Sequence, residues 1–134
     1  MKFEGKYFSD FNFSKEQVNR NFQNALKDLR IAKKDNILEV KFNYAYTALI
    51  KGGIALLSCH NVKVKSTSGH HIKIIEKLAQ GLKDEAITDM GNIMRTKRNL
   101  DLYSGGIEVT EKECHDYIKF VESTLNKIKV IIEK

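Results

Sequence analysis

The stretch TEKECHDYIKFVESTLNKIKVII, residues 110–132, decides the fold class. Thr110 and Glu113 stand three apart, the spacing at which a hydroxyl caps the first turn and the acidic side chain reaches back to the cap. Val109 and Cys114 flank them at the two staple positions. Beyond the cap, Cys114, Tyr117, Ile118, Val121, Leu125, Ile128 and Ile132 recur at steps of three and four. A helix places all of them on one apolar stripe. Such a helix needs neighbours that present stripes of the same kind.

Those neighbours are legible upstream. Ser14 and Gln17 repeat the capping box, with Phe13 and Val18 at the staple positions. Val18, Phe22, Ala25, Leu29 and Ala32 then carry a first helix. After the turn Lys33-Lys34-Asp35-Asn36, Asn36 and Glu39 stand at a further capping-box spacing. A second helix runs through Leu38, Phe42, Ala45, Ala48, Leu49, Ala55 and Leu56 to near His60. Gly52-Gly53 in its middle costs about 1 kcal/mol per glycine relative to alanine, which suits a central helix approached closely by its neighbours.

Residues 61–69 are polar and read as a loop. A third helix opens near Ser68-Gly69-His70-His71 and carries Ile72, Ile75, Leu78, Ala79 and Leu82. A fourth starts near Asp84, carries Ile87, Met90 and Met94, and stops at Ser104-Gly105-Gly106. Residues 1–13 contain Phe3, Tyr7, Phe8, Phe11 and Phe13 at irregular spacing, as an arm packed on the bundle or on a partner subunit would. The expectation is one domain over residues 1–134: an all-α, antiparallel four- to five-helix up-and-down bundle.

Composition agrees. The 134 residues are 42% hydrophobic and include no proline, a balance that favours helices. The net charge of +6 includes 17 acidic residues, so the surface is mixed. That is compatible with polyanion binding without establishing it. Two cysteines, Cys59 and Cys114, lie in apolar runs and form neither a disulfide framework nor a metal-binding spacing. No stretch approaches the roughly 20 apolar residues of a membrane span, and no apolar signal core follows Met1. The expectation is a cytoplasmic protein with no membrane contact, cofactor or metal.

One helix breaks its own pattern. Positions 95, 98, 99, 102 and 103 share a face of the fourth helix and read Arg95, Arg98, Asn99, Leu102 and Tyr103. That face continues the stripe of Ile87, Met90 and Met94. An unpaired guanidinium is costly to bury, so these groups either pair or line a cleft. The plain reading pairs Arg98 with a carboxylate and uses Asn99 as a loop cap. The functional reading is an anion site: Arg95, Lys97 and Arg98 clamp a phosphate, and Asn99 and Tyr103 either contact a base or ribose or fix each other's orientation.

Three runs together resemble the HEPN superfamily (higher eukaryotes and prokaryotes nucleotide-binding domains). They are Tyr44-Ala45-Tyr46-Thr47-Ala48-Leu49, Ser68-Gly69-His70-His71, and Lys97-Arg98-Asn99-Leu100-Asp101-Leu102-Tyr103-Ser104-Gly105-Gly106 before a capped last helix. The resemblance covers roughly residues 14–132. It implies a metal-independent endoribonuclease, often the toxin of a toxin–antitoxin or defence pair, acting as a homodimer with the site in a shared cleft. Its alternative implication is a noncatalytic nucleotide- or RNA-binding module that partners a small nucleotidyltransferase, in toxin systems the antitoxin. The family signature is an arginine, commonly followed by a polar residue, with a histidine four to six positions on. Arg98 and Asn99 match its first part. Tyr103 stands where the histidine is expected, and tyrosine, protonated at neutral pH, is a poor base. The resemblance thus assigns Arg98, Asn99 and Tyr103 to the catalytic position, with Arg95, Lys97, His70 and His71 around the phosphate.

His70 and His71 are neighbours whose side chains diverge by about 100° on a helix, so they do not chelate one metal. One of them is suited to closing the preceding loop. The pairs Cys59-His60 and Cys114-His115 read as buried cysteine beside surface histidine. Lys63, Lys65, Lys73 and Lys77 form a loose basic region, either a solvated face or an extension of an RNA track.

Overall fold

The computed structural model describes residues 1–106 and 108–134, with the side chains of residues 101–104 outside that description. Among the described residues the chain forms five helices: α1 (Lys15–Lys34), α2 (Leu38–Cys59), α3 (His70–Leu82), α4 (Ala86–Ser104) and α5 (Glu111–Ile132). Two short strands, β1 (Phe8–Asp10) and β2 (Val62–Val64), accompany them. The fold is an all-α helical bundle with one small two-stranded sheet.

The capping boxes at Ser14/Gln17 and Thr110/Glu113 are both formed, each with the two reciprocal hydrogen bonds. The one expected at Asn36/Glu39 is not. Ile37 precedes α2 without a side-chain cap, and the Asp35 carboxylate accepts from the Ile37 amide at 2.8 Å. A carboxylate two residues before an amide closes an Asx-type turn, and here that turn sets the reversal between α1 and α2.

α2 is the central helix and touches the other four. Phe42, Tyr46, Leu49 and Leu56 on α2 are buried with Phe22 and Leu29 of α1, Ile74 and Ile75 of α3, and Val121, Leu125 and Ile128 of α5. The two glycines permit this approach. A Cβ at Gly52 would collide with Leu125, and one at Gly53 with Ile74. On α3 the buried stripe is Ile74, Ile75, Leu78 and Ala79, while Ile72, expected inside, is 44% exposed. Two adjacent isoleucines at 74 and 75 rotate the apolar face away from position 72.

The aromatic arm and the polar loop also differ from expectation, because each contains a strand. β1 pairs antiparallel with β2, Phe8 opposite Val64 and Asp10 opposite Val62. Asn61 takes a left-handed conformation (φ 59°), which turns the chain back directly after α2. Phe8, Val62 and Leu57 then form a small second cluster, with Phe3 and Tyr7 against it. The arm therefore packs on its own bundle. Among the described residues, no helix is long and apolar enough to cross a membrane.

Candidate functional site

The start of α3 is held in place locally. Gly69 precedes it with φ 83°, a conformation open to glycine, and the His70 amide donates to the Thr67 carbonyl at 3.1 Å. His70 Nδ1 lies 2.7 Å from the same carbonyl, so its ring closes the loop. The rings of His70 and His71 meet edge to face, centroids 4.4 Å apart.

His71 points the other way, towards α2. Its Nδ1 lies 2.9 Å from the Tyr46 hydroxyl. Tyr46 is only 1% exposed and sits on the stripe between Phe42 and Leu49. A buried hydroxyl needs a partner, and His71 supplies it. On the same ring lies the Arg98 guanidinium of α4, 5.4 Å from the centroid, within cation–π range. Three helices thus meet in one contact chain, Arg98 over Tyr46 and Tyr46 against His71.

The electrostatics follow from burial and the arginines. Burial, then the charges of His70, Arg98 and Arg95, holds His71 down at about 4. Burial pushes Tyr46 up to about 12, against the opposing pull of Arg98 and Arg95. Near neutral pH both groups are uncharged, and the positive charge resides on the arginines. A neutral imidazole carries one proton. If Nδ1 donates to Tyr46, Nε2 is a free base; if Tyr46 donates, Nε2 is a donor. An anion beside Arg95 and Arg98 would cancel part of the field that lowers His71 and so raise its basicity.

The structure thus brings together Arg98, Arg95, His70 and His71. Arg95 is half-buried, and its Nε donates to Asn92 Oδ1 at 3.1 Å. Lys97 turns towards the start of α5 instead, donating to the Glu108 carbonyl at 3.2 Å with Glu113 at 3.5 Å. Asn99 is exposed. The Tyr103 side chain lies outside the described residues. Tyr46 is the residue that site reasoning passed over. The available signal was a hydroxyl on an otherwise apolar stripe of the central helix.

The basic region of Lys63, Lys65, Lys73 and Lys77 is not a free solvated face. Lys77 is 3% exposed and pairs with Glu4 at 3.2 Å, and Lys73 meets the same carboxylate at 2.6 Å. Lys65 donates to the Gly5 carbonyl, and Lys63 stands over the Phe11 ring. Each serves the arm.

Elsewhere, a groove of about 620 Å³ runs between the α1–α2 turn and the start of α5. Three of its four lysines are already engaged: Lys33 with Glu122, Lys112 with Asp116, and Lys41 with the Lys33 carbonyl. Cys114 is buried with its sulfur 3.8 Å from the Leu38 carbonyl, a structural position. Among the described residues no group of three or more His, Cys, Asp or Glu side chains is gathered to hold a metal. In comparisons with family models, curated proteins and solved structures, nothing matches this chain.

Proposed function

We propose that this chain acts on RNA as a metal-independent ribonuclease, in line with its resemblance to the HEPN superfamily, with Arg98 and Arg95 receiving the phosphodiester and His71 as the base. The observation that carries this reading is the 2.9 Å contact between Tyr46 and His71 beneath the Arg98 guanidinium. The histidine missing after Arg98 in sequence is supplied from α3 in space. Tyr46 orients the imidazole through Nδ1 and leaves Nε2 to take the 2′-hydroxyl proton. The 2′-oxygen then attacks phosphorus, the 5′-oxygen leaves and is protonated by solvent, and a 2′,3′-cyclic phosphate remains. The arginines hold the charge that builds on the phosphate. In this reading the protein is a homodimeric toxin-type component, held in check by a nucleotidyltransferase-type antitoxin.

A second reading is favoured by one observation: His71 is a weak base at about 4, and Tyr46 already occupies its Nδ1. The site would then bind a nucleotide or RNA without turnover, as a helical partner of a nucleotidyltransferase.

One assay separates them. Single-stranded RNA is incubated with the protein in a chelator, and products are resolved on a gel. Ribonuclease activity is expected in the unaltered protein and lost in Arg98→Ala; His71→Ala should lower it by about 10²–10⁴-fold, the usual span for removing a general base. Arg98-dependent, salt-sensitive binding without cleavage would select the second reading. Cleavage that survives in Arg98→Ala would overturn the first.

A further inference from the structure

The first residues of the chain lie against the flank of α3. The Glu4 carboxylate bridges two ammonium groups, 2.6 Å from Lys73 and 3.2 Å from Lys77. Phe3 stacks near the Lys77 ammonium at 5.8 Å, and the Lys65 ammonium donates to the Gly5 carbonyl at 2.6 Å. A carboxylate set between ammoniums at these distances fills the place that a backbone phosphate oxygen would take, with the same sign of charge and the same kind of hydrogen bond.

The attachment of the arm is uneven. Phe8 is buried and its strand is paired with β2, so that part is anchored. Gly5 is exposed, and a side chain there would meet nothing within 4 Å. Ahead of Phe8, the Glu4 carbonyl accepts from the Tyr7 and Phe8 amides at 3.0 Å and Phe3 meets Phe8 edge-on at 5.5 Å, so lifting residues 1–5 gives up these contacts while Phe8 stays seated. Lys73 stands about 200° round α3 from His71, so this flank is separate from the arginine cluster.

We propose that residues 1–5 are an internal phosphate mimic, a flap whose Glu4 masks a second backbone-binding site formed by Lys73 and Lys77 and bordered by Lys65. The occupant that displaces Glu4 is the phosphate backbone of an RNA strand, which rests on the proposed RNA-acting function. The flap therefore sets a threshold: a ligand must be polyanionic enough to outcompete a carboxylate of the chain itself.

The test uses a labelled, 2′-O-methylated oligouridylate, which has no 2′-hydroxyl and so survives the site. Binding is followed by fluorescence anisotropy across a salt series. Glu4→Gln is expected to tighten binding about 3- to 10-fold at low salt. It should also steepen the log–log salt slope by about 0.7 for Lys77, and by about 1.4 only where the phosphate also draws Lys73 from Glu76, its other partner at 3.3 Å. The same gain is expected in an Arg98→Ala background. Equal or weaker binding by Glu4→Gln overturns the mimic while leaving the arginine site standing. A gain in Glu4→Gln with no loss in Arg98→Ala keeps the mimic and sinks the arginine site. No binding by any form sinks both. Hydrogen exchange on the unaltered chain guards against a merely damaged variant: amides of residues 3–7 should exchange faster with the oligonucleotide present, and slower exchange overturns the proposal.

Discussion

The Arg98 guanidinium and the His71 imidazole share one tyrosine: the cation lies over the Tyr46 ring, 5.4 Å from its centroid, and the imidazole meets its hydroxyl at 2.9 Å. Tyr46 is therefore the spacer between the Arg98 guanidinium and the imidazole on α3. Its ring packs as a core residue and its hydroxyl serves as a polar anchor.

Tyr46→Phe tests that double role. The ring and its contact with Arg98 remain, but His71 Nδ1 loses its partner. Removing one member of a half-buried hydrogen bond should cost about 1–2 kcal/mol in urea unfolding. Affinity for an uncleavable RNA should hold within about twofold, because the arginines are untouched, while any cleavage drops, because the imidazole is no longer oriented. A variant as stable as the parent would show that the contact contributes nothing to the fold.

The depressed pKa of His71 carries a pH signature. The imidazole titrates near 6.5 in the unfolded chain and about 4 in the folded one, so the unfolded state binds the proton more readily. Its contribution is fully present above about pH 6.5 and is lost as pH falls towards 4. His71 is only partly buried, so the amount is about 1–2 kcal/mol after allowance for solvent screening. The urea midpoint of His71→Gln should depend less on pH across that window than that of the parent. Identical slopes would rule out a perturbed His71. Inorganic phosphate bound at Arg95 and Arg98 should move the His71 NMR titration upward.

How much of this was legible follows from which signals are local. The stripe Val121, Leu125, Ile128 and the boxes at Ser14 and Thr110 are properties of a few consecutive residues, and the structure realises them. The strands Phe8–Asp10 and Val62–Val64 were not legible, because three residues alternate only once and the partner is more than fifty positions away. The candidate site divides the same way. Arg98 stood out because it interrupts a stripe. Tyr46 did not, because a tyrosine on an apolar face looks like core until His71 is seen 25 residues away in sequence and 2.9 Å away in space. The lysines at 73 and 77 looked solvated because nothing nearby in sequence announces Glu4 as their partner.

The cap at α2 gives a comparison inside one molecule. Ser14→Ala and Thr110→Ala each remove a formed capping box and should cost about 1 kcal/mol. Asn36→Ala should stay within about 0.5 kcal/mol, since the Asn36 side chain is not the cap of α2. Asp35→Ala, which frees the Ile37 amide, should cost more than Asn36→Ala. Thermal unfolding of the four variants gives the order directly, and a cost at Asn36 equal to that at Ser14 would contradict the turn described here.

The adjacent glycines of α2 offer the sharpest packing test, because the two sites differ in what a methyl group would strike. Replacing glycine by alanine inside a helix gains about 1 kcal/mol in propensity, and the clash must be set against that. At Gly52 the obstacles are Leu125 Cδ2 and Ile128 Cδ1, far ends of side chains with rotatable bonds behind them. At Gly53 it is Ile74 Cγ2, attached directly to a β-branched carbon whose χ1 is held by its own helix, with the Ile74 carbonyl 3.8 Å away. Leu125 can turn aside at small cost, whereas Ile74 moves only if α3 moves. Gly52→Ala is therefore expected to lie within about 1 kcal/mol of the parent, and Gly53→Ala to lose about 1–3 kcal/mol as an overpacked core does. The consequence reaches the site, since α3 carries His71: Gly53→Ala should shift the His71 NMR resonances and Gly52→Ala should leave them in place. Equal stability of the two variants would mean that α2 and α3 are not packed as closely as these glycines imply.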